Sequence, residues 1–268
     1  MFGRGSRLRR VMRSAAAWIG LLVMIASAAW WEWTAKRSTP WPRQAVSAPE
    51  TGAVVVIDPG HGGQDSGAMC AGMFEKNLTL DVAQRIDRLL QAQGVPAVLT
   101  RVGDAYVSLP DRVALTNRVP NCVLVSIHFN EDNKPVSSGV ETYYADHQTP
   151  PGPALASWLP FWQKAVAAEP NVESQSLAGF IQQQLVARTQ AANRGVKPQQ
   201  FFVITNVRHP AVLVEGGFLT NREDIAKIAN PEYREQIAIA VTEGILRYRE
   251  LAKNRAATLA VNAAGHAE

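Results

Sequence analysis

Cysteine is scarce: only Cys70 and Cys122 occur in 268 residues. Two thiols exclude a disulfide scaffold and lack zinc-ribbon spacing. One bridge stays open for an exported body, beside the alternative of two separate buried thiols. Glycine and proline together give 35 residues, near the average share of roughly 12%, which excludes collagen, low-complexity sequence and wholesale disorder. No internal repeat is visible. The body also lacks an excess of positive charge. Eight of the 27 Lys/Arg and two of the 23 Asp/Glu fall in residues 1–50, leaving 19 basic and 21 acidic residues beyond. The net charge of +4 therefore comes from the N-terminus, and no basic stripe is available for nucleic acid.

The N-terminus is organised for export. Arg4, Arg7, Arg9, Arg10 and Arg13 precede Ser14–Trp31, an 18-residue run without charge. A basic stretch before an apolar run sends the following chain out of the cytoplasm. The run approaches the roughly 20 residues that span a bilayer, and Trp30, Trp31 and Trp33 cluster where an interfacial belt would sit. Against this, Ala26-Ser27-Ala28 has the form of a cleavage site. The expected order is a basic cytoplasmic region (1–13), a transmembrane anchor or signal segment (14–33), a linker (34–51), one domain (52–251) and a flexible tail (252–268).

Within the domain, strands alternate with helices. Strands are expected at 53–57, 95–100, 122–127, 139–144, 200–204 and 211–214, and helices at 75–93, 109–118, 177–193, 223–228 and 231–251. This is an α/β pattern: a central, mostly parallel twisted sheet flanked by helices. Residues 145–176 break the rhythm with five prolines and the apolar stretch Leu155–Val166. They read as an insertion, either regulatory or a decoration packed on its own tryptophans.

Three strands run into chemistry-bearing residues. Ala53–Ile57 leads to Asp58-Pro59-Gly60-His61, Cys122–Ile127 to His128-Phe129-Asn130, and Ala211–Val214 to Glu215-Gly216-Gly217. Sites in α/β sheets gather beyond the carboxyl ends of strands, so parallel neighbours would bring His61, His128 and Glu215 together. Two imidazoles suit zinc, and a hydrolytic zinc site takes a third protein ligand while leaving one position open. Glu75, opening the helix after the His61 loop, is a candidate, although a first-turn acid also answers the helix dipole. His147 and His266 are weaker candidates. His209 lies roughly 16–20 Å from the Glu215 end of its strand.

The blocks VVVIDPGHGGQDSGA (54–68), EKNLTLDVA (75–83), LPDRVALTN (109–117), VSIHFN (125–130), SGVETYY (138–144), RGVKPQQFFVI (194–204) and PAVLVEGGFLTN (210–221) resemble the zinc-dependent N-acetylmuramoyl-L-alanine amidases of bacterial cell walls. The resemblance covers about residues 53–248. It implies His61, Glu75 and His128 as ligands of one Zn²⁺, Glu215 as the catalytic carboxylate, and peptidoglycan as substrate. It also implies that the 145–176 insertion stands where some members carry a helix over the active site, relieved by a protein activator. Asn130 is expected to orient substrate or a ligand, or simply to turn the chain. Arg101 and Arg112 are expected to pair with stem-peptide carboxylates or with structural acids. Two other readings stay open. One is a non-catalytic wall-binding member of the same fold. The other is a zinc peptidase, although His61 and Glu75 stand 14 positions apart where such enzymes use a tight H-x-x-E pair.

Overall fold

The computed structural model describes residues 54–149 and 171–265, with Met24 alone further upstream. Apart from Met24, the segment 14–33 lies outside the described residues, as do the linker and residues 150–170 of the insertion. Among the described residues, no helix is long and apolar enough to cross a membrane.

The strands are β1 (Val54–Pro59), β2 (Met69–Cys70), β3 (Met73–Phe74), β4 (Ala97–Leu99), β5 (Cys122–Asn130), β6 (Val140–Tyr144), β7 (Asn193–Pro198) and β8 (Ala211–Phe218). The helices are α1 (Glu75–Ala92), α2 (Leu109–Arg118), α3 (Val172–Thr189), α4 (Phe202–Thr205), α5 (Arg222–Ala229) and α6 (Pro231–Gly265). Six strands form one sheet in the order β4-β1-β5-β8-β6-β7. β4, β1, β5 and β8 run parallel, β6 runs against β8, and β7 runs with β6. Strands β2 and β3 make a separate small hairpin. The expected α/β architecture, with a mixed and mostly parallel sheet, is therefore present.

Side-chain alternation splits the core into two layers. Val55, Ile57, Val123, Val125, Val212 and Val214 pack under α1, α3 and α6, where Leu78, Ile86, Ile181, Leu185, Ile237 and Val241 are buried. Val56, Leu124, Ala211 and Leu213 face the smaller layer, with Val113 of α2 and Val203 and Ile204 of α4. By the same alternation Asp58, His128 and Glu215 belong to the face of the smaller layer, at the carboxyl ends of β1, β5 and β8.

The boundaries depart from expectation at several points; β5 runs on to Asn130 and β8 to Phe218, so His128 and Glu215 lie within strands and not beyond them. The run Gln200–Ile204, expected as a strand, forms instead the single turn α4, and the neighbouring strand is Asn193–Pro198. A short apolar run does not distinguish a strand from a buried helical turn. Helix α3 starts at Val172, inside the expected insertion, because Asn171 caps it by accepting from the Ser174 amide. Helix α6 continues to Gly265, past the expected end at 251.

Both cysteines are free. Cys122 is buried, and desolvation pushes its thiol up to about 12, while Cys70 sits half-buried in the β2–β3 hairpin. A thiol reagent at neutral pH is expected to label Cys70 in the native protein and Cys122 only on unfolding, counted by intact mass. Labelling of both thiols at equal rates would contradict this placement.

Candidate metal centre

His61, Glu75 and His128 converge, each offering a ligand atom, with all three atoms within 4.8 Å of one another. His61 Nε2 stands 3.1 Å from Glu75 Oε2, and His128 Nδ1 stands 3.0 Å from Glu75 Oε1. Two ligands each about 2.0–2.1 Å from a tetrahedral ion lie about 3.3 Å apart. The N,N,O donor set fits one zinc-like cation, and each imidazole nitrogen stands near that spacing from a Glu75 oxygen. Glu75 is buried at 5% side-chain exposure, whereas His61 and His128 keep 23% and 20%. The histidine side opens into a cavity of about 280 Å³, also lined by Tyr106, Leu109 and Val203.

Local sequence explains the placement. Glu75 opens α1, but its carboxylate turns into the site rather than serving the helix end, accepting from the backbone amides of Ala68 and Phe129. Burial pushes this carboxyl up, yet the hydrogen bonds from His128 and His61 outweigh burial and hold it well below the usual range. Gly60 is required because a Cβ there would stand 2.2 Å from the His128 ring. His61 itself sits in the left-handed region at φ 60, a conformation that costs energy unless its surroundings enforce it.

The enforcement comes from two arginines. Arg112 donates through Nη2 to the His61 carbonyl at 2.6 Å and through Nη1 to Pro59 O and Asp58 Oδ1. Arg101 donates through Nε to Pro59 O and through Nη2 to Gly60 O and Lys76 O. Both are at least 96% buried. Arg112 pairs with the buried acid Asp58, as the structural reading expects. Both guanidiniums brace the loop that carries His61, and Arg112 also lines the cavity beside it.

Asp65 fixes the His61 ring. Its carboxylate oxygens both lie 2.9 Å from Nδ1, and an ionised carboxylate only accepts, so with a cation held at Nε2 the one remaining ring proton would sit on Nδ1 against Asp65. Asp65→Ala is expected to weaken zinc affinity about 10–100-fold, read by competition with a chromophoric chelator. Unchanged affinity would remove Asp65 from this role.

Glu215 pairs in register with His128 on one side and Glu141 on the other. Its Oε2 has no hydrogen-bond partner among the described residues. Desolvation first, then the charges of Glu75 and Glu141, push its carboxyl well above the ordinary value. Asn130 ends β5 and donates to Glu141 Oε1 at 2.6 Å. His147 is exposed, and His209 lies before β8 at the end of that strand remote from Glu215. His266 falls outside the described residues.

The family model described as N-acetylmuramoyl-L-alanine amidase matches residues 55–247. The chain belongs to this family. The amidase LytC of Bacillus subtilis is 36% identical over 200 residues, 75% of this chain but 36% of LytC. The structure of the amidase AmiC2 of Nostoc punctiforme superposes with a TM-score of 0.63 at 36% identity, covering 75% of this chain and 99% of AmiC2. The CwlD amidase of Clostridioides difficile, solved in complex with the GerS lipoprotein, gives 0.62 at 25% identity over 74% of this chain and 98% of CwlD.

For this amidase domain, sequence reasoning missed three residues that shape the site: Asp65, Glu141 and Arg194. Asp65 carried a signal, four residues after His61 in a glycine-rich loop. Glu141 and Arg194 carried none, since strand pairing brings them together from 53 positions apart.

Proposed function

We propose that the chain is an exported enzyme that hydrolyses the amide between the lactyl group of N-acetylmuramic acid and L-alanine in peptidoglycan. His61, Glu75 and His128 would hold one Zn²⁺, and Glu215 would move the proton. The observation that carries this reading is a buried, unpartnered carboxylate in register beside a His-Glu-His cluster. When bound, such an ion supplies an acidified water and a polarised carbonyl. The protein's own part follows from its geometry. The cavity beside His61 and His128 admits the amide. Glu215 Oε2, free of competing donors, accepts the proton of the attacking water and delivers it to the departing alanine nitrogen. Its dry setting favours the return of that proton, because burial makes the carboxyl a reluctant anion.

Digestion of purified sacculi tests the reading. Lactyl-ended glycan with intact stem peptides is the expected product. Shortened stems would mark a peptidase, and no release from zinc-loaded protein would mark a wall-binding module. A membrane anchor at 14–33 is part of the proposal, supported by the five upstream arginines. Mass spectrometry of the mature N-terminus decides it, and a start near Ala29 would mean cleavage. A protein activator is also proposed, on the likeness to CwlD in its complex with GerS.

A further inference from the structure

The sheet face that carries His128 and Glu215 continues into a second polar group. Glu141 is 1% exposed, and four donors saturate it: Asn130 Nδ2 and Tyr143 OH on Oε1, Arg194 Nε and Lys197 Nζ on Oε2. One carboxylate is met by two cations. Asp132 is close enough to feel Arg194, but its oxygens accept from Ser137 and Lys134. Both cations thus bear directly on Glu141 alone, with the Asp132 carboxylate near enough to offset part of the Arg194 charge.

The attachment of Arg194 matters more than the count. Only Nε is used on Glu141, and the guanidinium lies over the Phe218 ring at 4.7 Å from its centroid. Among the described residues no partner is seen for Nη1 or Nη2, and the side chain is 32% exposed. The two terminal nitrogens form the edge that receives a carboxylate through two parallel hydrogen bonds. An arginine pinned at Nε and stacked on an aromatic face presents that edge with little orientational freedom left to lose. Lys197, 38% exposed and 2.5 Å from Glu141, stands beside it with protons to spare.

The distance to the proposed chemistry fits a peptide. Residues directly opposite on neighbouring strands hold their Cβ atoms about 4.5–5.5 Å apart. Arg194 Nε lies 2.9 Å beyond the Glu141 carboxylate, so the open edge stands on the order of 10 Å from Glu215. An extended peptide advances about 3.3–3.6 Å per residue. A carboxylate on the residue after the alanine, with its own side-group reach, spans this interval.

We infer that Arg194, seconded by Lys197 and held in place by Glu141, receives a peptide carboxylate on the second residue beyond the scissile amide, the one after the alanine. This rests on the amidase reading. It gives the stem-peptide recognition expected of Arg101 and Arg112 to a different pair. It also makes the enzyme discriminate between stems whose second residue carries a free α-carboxylate and stems in which that group is a carboxamide.

The test uses two muramoyl-L-alanyl-γ-D-glutamyl substrates, one with a free α-carboxylate and one with an α-carboxamide. The zinc-loaded wild-type enzyme should favour the carboxylate by about tenfold or more in kcat/KM, chiefly through KM. Arg194→Gln and Arg194→Ala should bring the ratio of the two substrates close to one, and Arg194→Lys should leave an intermediate ratio. No preference in the wild type would overturn the inference. So would an equal fall on both substrates in the Arg194 variants, because a brace for the fold cannot tell the two apart. Wild-type protein that cleaves neither substrate would overturn the amidase reading itself, and the inference with it.

Discussion

Glu215→Gln is expected to lower kcat about 10²–10⁴-fold, or about 3–5 kcal/mol of barrier, while zinc content stays at the wild-type value. The substitution keeps the shape of the side chain and removes its ability to take a proton. Because Oε2 has no partner among the described residues, no network collapses when the carboxylate becomes an amide. Glu215 lies outside the grouped ligand atoms of His61, Glu75 and His128. Three protein ligands already leave the open position that hydrolysis needs. Thermal stability should hold or rise, since the variant removes a buried carboxyl whose ionisation is opposed by desolvation and by Glu75 and Glu141. Inductively coupled plasma mass spectrometry, a melting curve and turnover on sacculi decide the matter together. If Glu215→Gln releases the metal, Glu215 is a ligand and Glu75 loses that assignment.

The site was legible in the sequence where a strand runs straight into its functional residue. β1 and β5 are near-continuous β-branched and aliphatic runs, as buried parallel strands require, and their ends are marked by Pro-Gly-His and by His-Phe-Asn. Parallel neighbours then align by rule, and His128 does stand opposite Glu215. Glu75 reads two ways, because a first-turn glutamate also has an ordinary electrostatic reason to be there. Its carboxylate, closed on by the amides of Ala68 and Phe129 and by the rings of His61 and His128, points inward. Arg101 and Arg112 illustrate the limit. An arginine after a strand or in a first helical turn looks available to substrate, and nothing local reveals that backbone carbonyls will consume it. The left-handed backbone of His61 creates that demand, and a conformation of that kind is invisible in residue types. β7 escaped for another reason. Its sequence, NRGVKP, is polar and holds Gly195 and Pro198, which an edge strand tolerates but a pattern search rejects.

Replacing a ligand is expected to do what Glu215→Gln does not. His61→Ala, His128→Ala and Glu75→Ala should each lose zinc and turnover together. Apparent binding energies of about 10–16 kcal/mol for four-ligand structural zinc sites amount to about 2.5–4 kcal/mol per ligand when shared evenly, or about 10²–10³-fold in affinity. The three variants should part company in stability without metal. The carboxylate of Glu75 is the hub of the apo cluster, accepting from both rings and from two backbone amides. Glu75→Ala leaves those buried amides unpaired, at about 1–3 kcal/mol for such a group, so it should melt well below the wild type even in chelator. His61→Ala removes one ring from a loop that Arg112 and Arg101 still hold. Its melting point in chelator should therefore stay close to that of the apo wild type. Retention of stoichiometric zinc by either histidine variant would place the metal elsewhere. A Glu75→Ala protein as stable as the apo wild type would show that Glu75 is a ligand only, and not a support of the fold around it.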